Sequence, residues 1–231
     1  MRIQKYLSQE GILSRRETES FIKRGLIICN GKVVRDLGRQ IDPAKDKIEI
    51  LRDVHGTQQE KITVAVNKPR GIVSGKNKAE GQTIFDLLPK FKDLNTVGRL
   101  DKESEGLLLL SNDGIITKRI TGSDHTIEKE YKVEVREVVR PMHLKRIEEG
   151  IELTDGRTLP AKTELLDSHT FLLILKEGKK HQIRRMANAL KLTIHSLKRV
   201  RIGTITLGTL KPGMFRVLSP KEIAQIKKPI R

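Results

Sequence analysis

The sequence predicts an α+β fold in two parts: a small ααβ unit, then a larger part built on a mixed or antiparallel sheet. Three observations carry this. In the first 50 residues, two short helical patterns precede an apolar hairpin signature. From residue 62 onward strand-like runs dominate, with helices interspersed among them. Two of those runs, "GLLLLSND" and "TFLLILKEG", are unbroken apolar stretches that read as central strands, the first covered on both faces.

The elements follow in chain order. Ile3, Tyr6 and Leu7 share one face of a first helix. "SRRE" is a capping-box pattern in which Ser14 caps and Glu17 reaches back. The helix it opens turns Thr18, Phe21 and Ile22 inward and stops at Gly25. "LIICNGKVV" is a hairpin with Asn30 and Gly31 suited to a type I′ turn, and "DKIEI" closes the unit after a turn at Asp42 and Pro43. The polar stretch 51–61, "LRDVHGTQQEK", reads as a linker, which divides the chain into residues 1–60 and 62–231.

In the larger part "ITVAVN" is a strand, "KPRGIVSGKNKAEGQ" a Gly- and Lys-rich loop and "TIFDLLPKF" a short helix. "YKVEVREV" alternates as a half-exposed strand, and "PMHLKRIEEGI" is a helix with proline at its start. The basic helix "KHQIRRMANAL" follows the second central strand. Short strands in "RVRIGTITLGTLKPGMFRVLS" and a last helix in "SPKEIAQI" end the series.

Charge sets the class of partner. The chain carries a formal +17 and a pI near 10.1, which points to a polyanion, since each phosphate neutralised by Lys or Arg releases counterions. Residues 1–60 hold 12 basic and 9 acidic side chains and residues 61–231 hold 34 and 20, so most of the excess lies in the larger part. No apolar run approaches the roughly 18 residues that would cross a bilayer. No basic helix has the apolar face of a membrane-surface binder. The first residues lack the apolar core of a secretory leader. The one cysteine, Cys29, excludes an internal disulfide and reads as a small buried hydrophobe, so a cytoplasmic protein is expected.

Several familiar sites are missing. "GIVSGK" resembles a phosphate loop, but its glycines are one residue too close and Asn77 follows Lys76 where Ser or Thr is needed. The six histidines form no i, i+3 or i, i+4 pair, so neither a metal nor a cofactor is expected. There is no G-x-S-x-G nucleophile motif. Three constellations remain. In "GRLDKESEGLLLLSNDG", Gly98 and Gly106 bracket a tight loop that sets Asp101 at a sheet edge beside a rigid strand; Asp101 either caps a turn or is presented for chemistry. In "EKEYKVEV", Tyr131, one of two tyrosines, either packs in the core or offers a flat face to a base. In "LKEGKKHQIRRM", Ile183 and Met186 would hold a helix to the core while Arg184 or Arg185 faces outward.

Together these segments carry a resemblance. The order of SRRE, a helix, RG and NGK, with Arg15, Arg16 and Lys32 near one face, resembles the alpha-L RNA-binding module. "GRLDKESEGLLLLSNDG", "KEYKVEV" and "EGKKHQIRRM", with "NKPRGIVSG" and "LKRVRIGTITLGTLKPGMFRVLS", resemble the bacterial ribosomal-RNA pseudouridine synthases with an appended N-terminal module. The likeness covers essentially the whole chain. It implies isomerisation of a specific uridine to its C-glycoside in ribosomal RNA, without cofactor or metal. By the resemblance Asp101 is the catalytic aspartate, Tyr131 stacks on the flipped base and is a candidate for the proton step, and Arg184 pairs with the aspartate. Ile183 lines the base pocket, and Arg99 fills the space the flipped uridine vacates. Lys102, Lys68 and Arg70 meet phosphates. The spellings "GSDHTIEKEY" and "IGTITLG" lean toward members acting on large-subunit RNA, as naked RNA or in an assembly particle, and a monomer is expected. A non-catalytic RNA-binding or ribosome-assembly factor is the competing class. It would have no need for Asp101, Tyr131 and Arg184 together.

Overall fold

The structure is a computed structural model that describes residues 1–10, 12–51, 60–122 and 127–228. The predicted linker lies almost wholly outside the described residues, as do His55 and His125 and part of "GSDHTIEKEY".

The N-terminal unit forms as its local signals dictate. Helix α1 (Ile3–Gln9) buries Ile3 and Leu7, and α2 (Arg15–Lys23) starts in the expected reciprocal capping box of Ser14 and Glu17. Strands β1 (Ile27–Cys29) and β2 (Lys32–Val33) meet through Asn30 and Gly31, whose φ values of 50° and 75° are those a type I′ turn requires. Strand β3 (Ile48–Ile50) pairs with the other side of β1. Ile3, Leu7, Ile22, Ile27 and Cys29 make a small core of their own.

The larger part is one nine-stranded sheet. Its strands are β4 (Thr63–Lys68), β5 (Asn95–Val97), β6 (Glu105–Ser111), β7 (Lys129–Val135), β8 (Lys162–Leu165), β9 (Thr170–Leu175), β10 (Ile194–Ile202), β11 (Ile205–Thr206) and β12 (Phe215–Val217). The main path runs β12-β4-β6-β10-β7-β9-β8, with β5 on β6 and β11 on β10. The β6–β10 pair is parallel and the other pairs are antiparallel, so the sheet is mixed as expected. Helices α3 (Ile84–Leu87), α4 (Gly114–Thr121), α5 (Pro141–Glu149), α6 (Gln182–Ala189) and α7 (Pro220–Lys227) cover its faces.

The four leucines of β6 show why this strand is rigid. Leu108 and Leu110 face Val64, Val66 and Phe85, while Leu107 and Leu109 face Ala65, Ile116 and Ile205. All four are fully buried, each contributing about 2 kcal/mol relative to exposure. Gly106, with φ of 99°, lets β6 approach β10, because a Cβ there would collide with the Arg199 backbone. Strand β6 lies inside the sheet, so the expectation that Asp101 sits at a sheet edge is corrected: it lies just ahead of an interior strand. Helix α4 joins the two parts, its Lys118 Nζ donating to the carbonyls of Ser8 (2.9 Å) and Gln9 (3.0 Å) at the C-terminal end of α1.

Candidate active site

The loop from Gly98 to Ser104 is held by its backbone. Five successive carbonyls each accept a hydrogen bond. Arg99 O receives Arg199 Nη1 at 3.4 Å, and Leu100 O receives Ser74 Oγ at 2.6 Å. Asp101 O receives Ser104 N at 3.0 Å. Lys102 O receives Gly71 N at 2.8 Å and Lys68 Nζ at 3.4 Å. Glu103 O receives Arg184 Nη2 at 2.9 Å. Ser74 Oγ also accepts from Leu100 N at 3.0 Å, and Leu100 is buried beneath the loop. These anchors restrain the loop backbone, while the Asp101 side chain, 37% exposed, faces the cleft.

That side chain opens into a cleft of about 900 Å³, whose wall includes Asp101, Tyr131, Ile183, Arg184, Arg99 and Lys102. Six of the residues singled out in the sequence therefore meet in one place, although they come from three separated segments. The volume suits a single flipped nucleotide. Tyr131, on β7, is half-buried and packs against two core clusters, one with β9 and α6 and one with β6, so its ring is fixed where these meet. Ile183 and Met186 hold α6 to the core, as expected, while Arg185 leaves the cleft to bind Asp155 through both carboxylate oxygens, at 2.7 and 3.0 Å.

The surroundings of Asp101 differ from the expectation. Arg184 does not pair with it here; its guanidinium spans Glu103 O and Ser104 Oγ (3.3 Å), further along the loop. His181 Nδ1 lies 3.1 Å from Asp101 Oδ2 instead. His181 precedes α6 in the left-handed region, at φ 50° and ψ 29°, which turns its ring back toward the aspartate.

Lys68 is also not where a phosphate could reach it. It is fully buried, and its ammonium donates to Pro69 O (2.9 Å), Ile72 O (2.6 Å) and Lys102 O. Burial pushes it down to about 8, against the opposing pull of Glu103, Asp101 and Glu105. Its long stem comes from an interior strand, so its charge serves the loop backbone. Arg70 is exposed, but its Nε is taken by Glu103 at 3.0 Å, which holds the Glu103 carboxyl below the usual range. Lys102 is exposed at the cleft and rests on Glu80 O at 2.9 Å. Arg99 is exposed on the cleft wall, while Arg15, Arg16 and Lys32 are exposed on the N-terminal unit.

Sequence reading missed Ser74, Lys129, His181 and Arg199, all on the same wall. Lys129 lies two residues before Tyr131, and strand periodicity alone puts both on one face. Arg199 is opposite Tyr131 through β10–β7 pairing, which only the fold discloses. Among the described residues there is no group of three or more His, Cys, Asp or Glu that could hold a metal ion, and no helix long and apolar enough to cross a membrane. The arrangement offers a fixed carboxylate, a fixed aromatic ring and a cationic wall, which suits covalent or proton-transfer chemistry on a planar, polar ring.

Comparison with known proteins agrees with this chemistry. The model of the RNA pseudouridylate synthase family matches residues 62–189, and that of the S4 domain matches residues 1–48. A ribosomal large subunit pseudouridine synthase B of Bacillus subtilis is 32% identical, over 98% of this chain and 95% of its own. A ribosomal small subunit pseudouridine synthase A of Vibrio cholerae is 33% identical, over 99% of this chain and 100% of its own. A crystal structure of a pseudouridylate synthase superposes with a TM-score of 0.72 at 31% identity, covering 98% of this chain and 99% of that one.

Proposed function

The chain belongs to the RNA pseudouridylate synthase family, and from that premise we propose that it isomerises a specific uridine of ribosomal RNA with Asp101 as the catalytic carboxylate. That it is an enzyme isomerising uridine in RNA follows from the family. The aspartate, the RNA and the residue roles are our reading. One observation carries it: five consecutive loop carbonyls are anchored while the Asp101 side chain stays open to the cleft that Tyr131 shares.

In this reading the uridine leaves its helix and its base stacks on Tyr131, beside Ile183. Asp101 acts on the ribose or the base, the C1′–N1 bond breaks, and the base turns. C5 then bonds to C1′, C5 loses its proton and N1 gains one, so atoms and electrons balance without an outside reactant. Arg184 holds the loop through Glu103 and Ser104, a positioning role in place of the aspartate pairing the resemblance implies. Arg99 and Lys102 meet the RNA at the cleft. Residues 1–60 form the RNA-binding domain, presenting Arg15, Arg16 and Lys32, and residues 62–231 the catalytic domain. The protein acts in the cytoplasm as a monomer. Large-subunit RNA, free or in an assembly particle, is the preferred target, supported by the spelling "IGTITLG" and the likeness to the Bacillus subtilis relative. The equal likeness to the Vibrio cholerae relative keeps small-subunit RNA as the second reading.

The test is Asp101→Asn. It should bind RNA with unchanged affinity and form no pseudouridine; turnover by the purified variant would remove Asp101 from the mechanism. Mapping pseudouridines in both ribosomal RNAs, from cells with and without the protein, assigns the nucleotide. A missing large-subunit site supports our preference, and a missing small-subunit site reverses it.

A further inference from the structure

Two cations on the cleft wall have no counter-charge among the described residues. Arg199 is 4% exposed, with Nε on Leu107 O at 2.7 Å and Nη1 on Arg99 O. Its Nη2 is buried and has no hydrogen-bond partner among the described residues. Lys129 is half-buried, and among the described residues its ammonium has neither an ion pair nor a hydrogen bond. Burial and then the nearby Arg199 charge lower its proton affinity, so the two cations repel one another across the strands. Folding alone would favour a carboxylate here, because unpaired charge in a desolvated place is costly.

Carboxylates do meet the same strand pair on its other side, from Glu130 in β7 and Glu128 just before it. A bulge between Arg199 and Arg201 puts an extra residue in β10, so that Arg199 stands opposite Tyr131 and Arg201 opposite Glu130. Arg201 is matched there by Glu130 and by Glu128 at 3.3 Å. Lys129, two residues from Tyr131 on the same strand, shares its face. The bulge thus sorts the charges: the arginine away from Tyr131 is neutralised, and the cations beside Tyr131 are not.

We propose that Lys129 and Arg199 form the site that takes up the negative charge of the uracil ring as it detaches. This rests on the reading of the cleft given above. When C1′–N1 breaks heterolytically, its electron pair leaves on the base and spreads over N1 and the carbonyl oxygens. The electron-deficient ribose is answered by the Asp101 carboxylate, which either bonds to it or accepts a proton from it. A base on Tyr131 lies over the strand pair that carries both cations. Preorganised positive charge there favours the detached ring more than the intact nucleoside, and so acts on the rate. The exposed cations Arg99 and Lys102 are where backbone phosphates arrive; Arg199, nearly inaccessible, is out of a phosphate's reach and acts on the inserted base through its field.

The experiment compares wild type, Lys129→Met and Lys129→Arg in single-turnover cleavage of the target N-glycoside. The RNAs are unmodified ribosomal transcripts containing uridine or 5-fluorouridine, whose fluorine stabilises the departing anion. Lys129→Met should slow uridine cleavage about 100-fold, as for loss of one preorganised donor at a developing anion. The loss should shrink to about 10-fold or less on the 5-fluorouridine RNA. Lys129→Arg should recover most of the rate, and RNA affinity and its salt dependence should not change. Equal losses on both RNAs would overturn the proposal. So would a weakened Kd with a salt slope lower by about one, the mark of a lost phosphate contact. Thermal melting confirms that the variants fold. An inactive Asp101→Asn beside a fully active Lys129→Met defeats this inference alone, whereas an active Asp101→Asn defeats the reading beneath it.

Discussion

The Asp101 loop and the surface of the N-terminal unit are both rich in charge, yet they are built in opposite ways. In the loop, side chains from β4, the loop after it, α6 and β10 reach in to fix the backbone: Lys68, Ser74, Arg184 and Arg199 all donate to loop carbonyls. On the N-terminal unit Arg15, Arg16 and Lys32 are exposed, and among the described residues Arg16 makes one long 3.4 Å contact to Asn95. The first design gives one geometry and tolerates no loss of a member. The second gives adjustable contacts to an RNA backbone, each worth little and partly replaceable. Substitutions should therefore separate the two regions by what they change, rate in one and affinity in the other.

The sharpest separation is expected at Arg184. Arg184→Met removes the anchor on Glu103 O and Ser104 Oγ and lets the loop drift by a fraction of an ångström. A fall in kcat of about 100-fold with KM nearly unchanged is expected. Arg184→Lys should recover little, since one ammonium cannot reproduce a fork spanning both acceptors. If KM rose while kcat held, Arg184 would belong with the RNA-contacting residues and the contrast would break.

Lys68 tests the same anchoring through stability. Lys68→Met leaves the Pro69, Ile72 and Lys102 carbonyls without this donor and should lower stability at pH 7 by about 3 kcal/mol, read by denaturant melts. The pH dependence has a definite sign. The folded ammonium titrates at about 8 and the unfolded one near 10.5, so below pH 8 both states are protonated and the burial penalty is fully present. Between those values the unfolded chain binds more protons, and the wild type gains stability as pH rises. The gap between wild type and Lys68→Met should widen from pH 7 to pH 10. A narrowing gap would mean that the charge itself, rather than the hydrogen bonds, supports the loop.

The same division explains what could be read from sequence. The N-terminal unit is local: a capping box, an Asn-Gly turn and a short amphipathic face specify it, and each signal appears where it was written. Strand β6 was legible from four leucines. Helix α4 was not, because "GIITKRIT" opens on glycine and is rich in β-branched residues. What holds it is tertiary, the burial of Ile116 and Ile120 together with the Asp113 cap on Ile115 N at 2.9 Å. In the cleft, Asp101, Tyr131 and Arg184 stood out through motif spelling. The partners that place them depend on strand pairing: no local pattern says that Arg199 faces Tyr131, that a bulge turns Arg201 away, or that Lys68 ends beneath Lys102.

The smallest effect is expected on the N-terminal unit, where it is most diagnostic in kind. Arg15→Ala, Arg16→Ala and Lys32→Ala together remove three exposed cations without touching the core of Ile3, Leu7, Ile22 and Ile27. The fold and the single-turnover rate at saturating RNA should stay as in wild type. RNA affinity should fall several-fold at moderate salt, and the slope of log K against log salt should lose about one unit per phosphate contact removed. At low salt the deficit should widen and at high salt it should fade, because the wild type, with more phosphate contacts, gains affinity faster as salt falls. A triple variant with normal affinity but a slower step would place these side chains in the cleft's chemistry, and the division between an anchored site and an adjustable surface would not hold.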